Sequence, residues 1–305
     1  MLLAESMDLL SVRPGGRYVD GTLGTGGHSQ AILERCLPGG RLLAIDLDPE
    51  AIDRAKQRLN QYVDSVIFVN DNFRNIETIC DSLDFRPVDG IVLDLGMSSL
   101  QLEEARRGFS FRFEAPLDMR FNPAQETTAA HLINELSEMD LASLLFTFGE
   151  ERRSRVIARR IVAHRPIDST TELAGIVESV LGRAGKIHPA TRTFQALRIA
   201  TNEEMLNLDA ALKQIPALLA PGGRLVVISY HSLEDRIVKE FLKREASDCL
   251  CPHDVPVCRC EHTATLRILT RKAVRPTPSE QEANPRSRSA KLRAAERLLA
   301  GHPAD

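Results

Sequence analysis

Short apolar runs alternate with amphipathic stretches along the chain. Five runs are candidate strands, at 18–20, 42–46, 66–69, 90–94 and 225–229. Because they are continuously apolar, they are typical of strands buried on both faces of a parallel sheet. A helical pattern lies between most of them; the clearest runs from Asp48 to Asn60, with Asp48 as N-cap and Pro49 in the first turn. The pattern predicts an α/β, doubly wound, Rossmann-like sheet.

Three copies of one local motif support this alternation of helices and strands. The sequence Pro-Gly-Gly-Arg occurs at 14–17, 38–41 and 221–224, each time directly before an apolar run. Proline stops a helix and glycine supplies the positive φ of a turn. Each copy is therefore predicted to end a helix and to open a strand.

The gap between the strands that end at Asp94 and begin at Arg224 is too long for a single crossover. The residues between them read as helices, for example Leu132–Phe148, Glu150–His164 and Thr171–Leu181. We therefore expect an inserted helical substrate-recognition domain at 108–207, between the two parts of a sheet domain at 1–107 and 208–305. A strand is expected at 266–270. The segment 289–297 could form either a strand or a short helix.

Composition narrows the class of protein. The chain has 305 residues, of which 43% are hydrophobic and 27% charged, as in globular proteins with a core. No apolar run is long enough to span a membrane and no secretory signal is evident, so we expect a cytoplasmic protein. The net charge is −3, yet residues 151–200 and 263–297 are both strongly basic. Such basic patches fit a polyanionic partner such as nucleic acid, although most arginine-rich stretches are solvated helix faces.

A glycine-rich loop follows the first predicted strand. It reads Asp20-Gly-Thr-Leu-Gly-Thr-Gly-Gly-His-Ser29, and the second strand ends at Asp46. Such a loop lets the backbone approach a nucleotide, and a carboxylate at this spacing can accept hydrogen bonds from ribose hydroxyls. The loop and Asp46 predict an adenosine-containing cofactor, with a structural turn as the alternative. NAD remains one candidate for this cofactor, although the loop matches the dinucleotide motif poorly because Ser29 stands at its third glycine position. S-adenosylmethionine is the other candidate.

Nine motifs in register, spread over nearly the whole chain, resemble the bacterial 16S ribosomal RNA cytosine-N4 methyltransferases. They begin at Tyr18-Val-Asp-Gly-Thr-Leu-Gly-Thr-Gly-Gly-His-Ser29 and Asp94-Leu-Gly-Met-Ser-Ser-Leu-Gln101. They continue through Arg107–Arg112, Pro116–Arg120, Phe148–Arg152, Lys186–Ile199, Pro221–Leu225, Ile228–Val238 and Asn284–Arg293.

The resemblance implies an S-adenosylmethionine-dependent enzyme that methylates the N4 amine of one cytosine in the decoding region of 16S rRNA. It implies a class I methyltransferase sheet with an inserted helical domain, and the small ribosomal subunit as partner; neither a membrane nor DNA is expected. The cofactor-binding residues that it implies are Gly26, Gly27, His28, Asp46, Phe73, Asp94 and Gln101.

Other residues are candidates for the substrate. Asp94, at the end of the fourth strand, is expected to contact the amine or the sulfonium side, with Ser98 and Ser99 next. For His231 two roles remain as alternatives, a contact with the substrate and the cap of a helix. Arg152, Arg155 and Arg159 have the spacing of one helix face. With Arg192 and Arg198 they are expected to form a basic surface for RNA.

Four of the six cysteines are clustered in sequence. Cys249, Cys251, Cys258 and Cys260 could supply a tetrahedral structural zinc site. The Cys-x-Cys spacing is tighter than the usual one, and a surface loop with reduced thiols is the alternative.

Two other function classes compete with a methyltransferase. An NAD-dependent oxidoreductase would need a hydride-transfer site, and no residues can be assigned to one. A non-catalytic ribosome-assembly factor that keeps the fold is disfavoured by the intact glycine loop and Asp46.

Overall fold

The computed structural model describes residues 1–98, 101–102, 104–183, 188–252 and 257–299. The chain forms two compact units. The first comprises Met1–Gly96 with Met205–Asp305, and the second comprises Met97–Glu204. The sequence predicts that the insert starts at residue 108. Met97 and Leu102 nevertheless pack against the core of the second unit, so the first boundary lies earlier.

A seven-stranded sheet forms the first unit. Its strands are β1 Arg17–Asp20, β2 Arg41–Asp46, β3 Val66–Asn70, β4 Val88–Asp94, β5 Leu219–Ser229, β6 Leu266–Ile268 and β7 Lys291–Arg297. Their order is β3-β2-β1-β4-β5-β7-β6. Strands β1 to β5 pair in parallel, and β7 pairs antiparallel with both β5 and β6. The predicted α/β Rossmann-like sheet is confirmed, and 291–297 is a strand, not a helix.

Helices cover this sheet. They are α1 Leu3–Leu10, α2 Gly27–Cys36, α3 Pro49–Arg58, α4 Ile76–Ser82, α10 Glu204–Leu218, α11 Ser232–Glu245 and α12 Pro278–Ala283, where α5 to α9 belong to the second unit. Neighbouring strand residues enter two different cores: Leu43 and Ile91 belong to one, Leu42 and Val92 to the other. Both faces of the sheet are therefore buried, which explains the continuously apolar strands.

Local sequence sets the start of α3 as expected. The Asp48 carboxylate accepts a hydrogen bond from the Glu50 N–H at 3.1 Å, and Pro49 occupies the first turn. The third Pro-Gly-Gly-Arg motif behaves differently from the prediction. Strand β5 begins at Leu219, before the motif, and its register against β4 shifts between Leu219 and Arg224. The motif is thus an irregularity inside a strand, because Leu219 already pairs with Val88.

The second unit is helical around one core. Its described helices are α5 Ala129–Glu135, α6 Glu138–Gly149, α7 Ser154–Val162, α8 Thr170–Leu181 and α9 Thr191–Thr201. The single helix expected at Leu132–Phe148 is wrong. Ser137 breaks it, because its side chain accepts from the Asp140 N–H and caps a new helix. None of the described helices has the length and apolar character that a membrane span requires.

Candidate active site

The loop after β1 is built around a buried carboxylate. Asp20 accepts from the Thr22 N–H at 3.1 Å and from the Ser29 hydroxyl at 2.7 Å. Burial raises the pKa of Asp20. Sequence reasoning did not single out Asp20, although it is the first acid of the loop motif. Its role is to hold the two ends of the glycine loop together.

Backbone hydrogen bonds hold this loop across two neighbouring strands. Gly21 N–H donates to Val92 O of β4 at 3.0 Å, and Leu23 N–H donates to Ile45 O of β2 at 3.0 Å. The loop therefore has a fixed position at the carboxyl edge of the sheet, where open α/β sheets bind their ligands.

Two glycines mark the turn from the loop into α2. Gly26 has φ of 79°, a conformation that side chains rarely adopt, and a Cβ there would lie 3.4 Å from Leu59. A Cβ on Gly27 would meet nothing within 4 Å. The backbone at Gly27 can therefore be approached closely, and the start of α2 offers its N–H groups to a ligand.

Asp46 is hydrogen-bonded to this loop from the end of β2. Its Oδ2 accepts from the Gly24 N–H at 2.7 Å and its Oδ1 from the Asp48 N–H at 2.9 Å. Burial raises the pKa of Asp46 to about 6. Each carboxylate oxygen has a second lone pair, so the group can still accept hydrogen bonds from two ligand hydroxyls.

The end of β3 adjoins the same residues. The Asp46 carbonyl accepts from the Asp71 N–H at 3.1 Å and from the Asn70 side-chain amide at 2.9 Å. Phe73 lies beside the glycine loop, since its Cβ is 3.5 Å from the position of a Cβ on Gly21. The structure thus brings Phe73, Asp46 and the loop to one edge, as the sequence predicted.

Asp94, at the end of β4, contacts both neighbouring strand ends. Its N–H donates to the Thr22 hydroxyl at 2.6 Å, and its Oδ1 accepts from the Tyr230 hydroxyl at 2.6 Å. Burial, and then the charge of Asp94, raise the pKa of Tyr230, so this hydroxyl remains a proton donor. The Thr22 side chain thereby fixes the Asp94 backbone.

Tyr230 directly follows β5 and is a further functional candidate at this edge. Its ring packs on Gly96, where φ is 90° and a Cβ would lie 3.3 Å from the ring. No motif gives the direction of a tyrosine side chain after β5. Only the folded register reveals that it reaches Asp94.

His28, in the first turn of α2, faces the second Asp94 oxygen. Its Nδ1 lies 3.6 Å from Asp94 Oδ2. Its Nε2 is buried and has no hydrogen-bond partner among the described residues. A buried ring nitrogen of this kind is suited to a hydrogen bond with a ligand.

His231 has a structural role in the fold. It is the N-cap of α11, where its Nδ1 accepts from the Glu234 N–H at 3.4 Å and Glu234 accepts from the His231 N–H at 3.2 Å. The structure therefore shows the helix-capping alternative, and the imidazole is directed along its own helix.

Three other predicted residues lie at the start of the second unit or outside the described chain. Ser98 N–H donates to Gln101 Oε1 at 3.0 Å, and Gln101 N–H donates to Ser98 Oγ at 3.3 Å. These reciprocal bonds stabilise the segment that follows β4. Ser99 lies outside the described residues.

The predicted arginine surface is partly different from the expectation. Arg152 precedes α7, which begins at Ser154, so it does not share a helix face with Arg155 and Arg159. Arg152, Arg155 and Arg192 are exposed. Arg198 is buried and pairs with Glu204 at 2.7 and 2.9 Å, so its role is structural.

Arg152 and Arg192 still lie beside the same turn. The Arg192 guanidinium is 3.4 Å from the carbonyl of Glu150, which directly follows α6 and has a positive φ. Arg153 and Arg160 are exposed as well. The second unit therefore carries exposed arginines on α7, in the turn before it and at the start of α9, which we call the α7 basic surface: Arg152, Arg153, Arg155, Arg159, Arg160 and Arg192.

Comparison with known proteins shows that the chain is similar to one family of methylases over nearly its whole length. The sequence profile of the MraW methylase family matches residues 1–298. The "Ribosomal RNA small subunit methyltransferase H" of Dehalococcoides mccartyi is 57% identical over 98% of this chain and 86% of its own. The proteins of the same name from Thermomicrobium roseum and Heliobacterium mobile are 52% and 48% identical, over 98% of this chain in both cases and 93% and 98% of their own.

Proposed function

Because the chain belongs to the MraW methylase family, we propose that it uses S-adenosylmethionine to methylate 16S ribosomal RNA. The target is the N4 exocyclic amine of cytosine 1402, within the small ribosomal subunit in the cytoplasm. One observation carries the proposal: the glycine loop is hydrogen-bonded to Asp46 on one side and to Asp94 on the other. The loop thereby fixes the relative positions of two carboxylates, Asp46 for the ribose hydroxyls and Asp94 for the reacting end of the cofactor.

The residues of this edge match the parts of the cofactor. Asp46 accepts hydrogen bonds from the ribose hydroxyls, and the Phe73 ring packs against the adenine. The Gly26–Gly27 backbone and the His28 Nε2 provide polar contacts. When bound, S-adenosylmethionine supplies an electrophilic methyl group on a sulfonium, and no metal is needed for the transfer.

Asp94 is the catalytic candidate of the chain. The cytosine amine is a weak nucleophile because its lone pair is delocalised into the ring. Asp94 accepts a hydrogen bond from this amine and so directs the lone pair towards the methyl carbon. The Tyr230 hydroxyl and the Thr22 hydroxyl fix the carboxylate and the backbone of Asp94. Such positioning lowers the barrier by several kcal/mol, within the roughly 7–11 that orientation can supply.

The helical unit is the proposed RNA-binding part. Phosphate groups are bound by exposed lysine and arginine side chains, and the α7 basic surface offers six arginines. The base must leave its stack to reach the methyl group, which costs a few kcal/mol and is cheapest in looped RNA. Contacts between the α7 basic surface and the backbone of the RNA compensate for this cost.

Transfer of a labelled methyl group tests the proposal. The protein is incubated with labelled S-adenosylmethionine and small subunits, naked 16S rRNA or DNA, and the products are digested to nucleosides. We expect N4-methylcytidine in 16S rRNA, and its loss in Asp94→Asn. Asp53→Asn, which changes an exposed carboxylate on α3, serves as the control. Label in DNA alone, or full activity of Asp94→Asn, contradicts the proposal.

A further inference from the structure

The four clustered cysteines lie in the connection between α11 and β6, which contains none of the proposed cofactor-binding or substrate-binding residues. This connection has no helix or strand among its described residues. Cys249 and Cys251 lie on one arm of the loop, and Cys258 and Cys260 lie on the other. All four Sγ atoms are within 4.8 Å of one another.

The distances between the sulfurs fit one tetrahedral ion. The Cys258 Sγ lies 3.4 Å from Cys249, 4.0 Å from Cys251 and 3.5 Å from Cys260, and Cys260 lies 3.8 Å from Cys249. A zinc–sulfur bond of about 2.3 Å gives a tetrahedron with an edge of about 3.8 Å. A disulfide needs about 2.05 Å between its sulfurs, so no pair is bonded covalently.

Backbone N–H groups around the loop donate hydrogen bonds to three of these sulfurs. The Leu250 N–H donates to Cys260 Sγ at 3.2 Å, and the Cys251 N–H donates to Cys249 Sγ at 3.4 Å. The Arg259 N–H donates to Cys251 Sγ at 3.3 Å. Hydrogen bonds to ligand sulfurs orient them and spread their negative charge, as around metal-bound cysteines.

We propose that Cys249, Cys251, Cys258 and Cys260 bind one structural Zn²⁺ ion. Soft thiolate ligands in a tetrahedral arrangement select zinc or iron, and a cluster of several irons would hold its cysteines on different iron atoms and so farther apart. His262 is not a ligand, because its Nε2 lies 3.0 Å from the Arg244 carbonyl. With four protein ligands the ion has no open position, so its role is structural.

The ion would stabilise the tip of the loop, not the sheet. The base of the loop is already closed, since the Thr265 N–H donates to the Glu245 carbonyl at 2.8 Å and the Thr265 hydroxyl to the Glu245 carboxylate at 2.6 Å. Beyond this base none of the described residues of the loop is buried, so no apolar core holds its tip. Removing the ion should therefore loosen the loop while β6 and β7 stay paired.

Metal analysis of the full chain, purified without chelators, tests the site. We expect about one zinc per chain in the parent and in Cys80→Ala, whose thiol is buried elsewhere. The double variant Cys258→Ser with Cys260→Ser should hold less than about one tenth of that amount. A parent without zinc, iron in its place, or full zinc in the double variant each overturns the proposal.

Two measurements keep the test valid if the double variant folds poorly. Co²⁺ added to the metal-free parent should give the visible bands of a tetrahedral cobalt–thiolate centre. Hydrogen exchange should then show slower exchange in the loop 246–265 with zinc than after chelation, while β7 is unchanged. Absence of the cobalt bands, or identical exchange in the loop with and without zinc, overturns the proposal.

Discussion

The Tyr230 hydroxyl donates a 2.6 Å hydrogen bond to Asp94 Oδ1, which joins the ends of β5 and β4 at the proposed catalytic carboxylate. Burial and the charge of Asp94 raise the pKa of Tyr230, so this hydroxyl stays protonated and acts as the donor. Asp94 is therefore held by its side chain from one strand and by its backbone from the glycine loop.

Tyr230→Phe tests the positioning role of this bond. A hydrogen bond to a charged group contributes about 1.5–3 kcal/mol, so kcat should fall roughly tenfold to a hundredfold. The KM for S-adenosylmethionine should change little, because Asp46 and the loop remain. Tyr62→Phe, a tyrosine outside this edge of the sheet, is the control for the loss of a hydroxyl. An unchanged kcat would remove Tyr230 from the mechanism.

The raised pKa of Asp46 predicts a pH-dependent affinity for the cofactor. In the proposed complex the ribose hydroxyls donate to the ionised Asp46 carboxylate, so binding favours the charged form. Since the free protein has a pKa of about 6 at Asp46, affinity should rise as the pH increases through about 6 and level off above it. Titration calorimetry across this range measures the effect. Asp46→Asn should bind more weakly with a flat profile, whereas Asp53→Asn should follow the parent.

Two adjacent glycines should respond differently to alanine. Gly26→Ala forces a side chain into a left-handed conformation and should cost about 1–2 kcal/mol in the free energy of unfolding. Gly27→Ala has free space and starts a helix, so stability should be unchanged. If the cofactor approaches this backbone, Gly27→Ala should still lower its affinity. Thermal unfolding and titration on both variants separate the two effects; parental affinity in Gly27→Ala would show that the cofactor does not approach there.

Arg152→Ala combined with Arg155→Ala tests the α7 basic surface. Each lost phosphate contact to single-stranded RNA lowers the slope of log affinity against log salt by about 0.7. The double variant should therefore bind 16S rRNA more weakly and with a slope smaller by up to about 1.4. Lys213→Ala, which removes an exposed cation of the first unit, is the control. Parental binding at several salt concentrations would exclude this surface.

Much of the fold was predictable because local sequence and global fold agree. Continuously apolar strands, the Asp48 cap and the long interval between Asp94 and Arg224 each have a physical meaning that needs no coordinates. The errors arose at two places that periodicity does not describe. Ser137 caps a new helix inside an apolar pattern, and Leu219 already pairs with β4 before the turn motif begins.

The candidate site was predictable in position more than in contacts. Strand ends identify Asp46, Phe73 and Asp94, since all parallel strands end at one edge. The sequence does not say where side chains point. For this reason it missed Asp20 inside the loop and the Tyr230–Asp94 bond, and it assigned Arg198 to a surface although Glu204 holds it in the interior.

The position of β7 has a consequence for biosynthesis. Residues 291–297 insert between β5 and β6, so the two strands on either side are translated first and must wait for a partner that emerges after them. Until then β5 is an open edge of the sheet, with unpaired backbone N–H and C=O groups and apolar side chains. Such an edge can pair with strands of other nascent chains. A chain cut short before Lys291 should thus aggregate during translation, even though every proposed cofactor-binding residue has already been made.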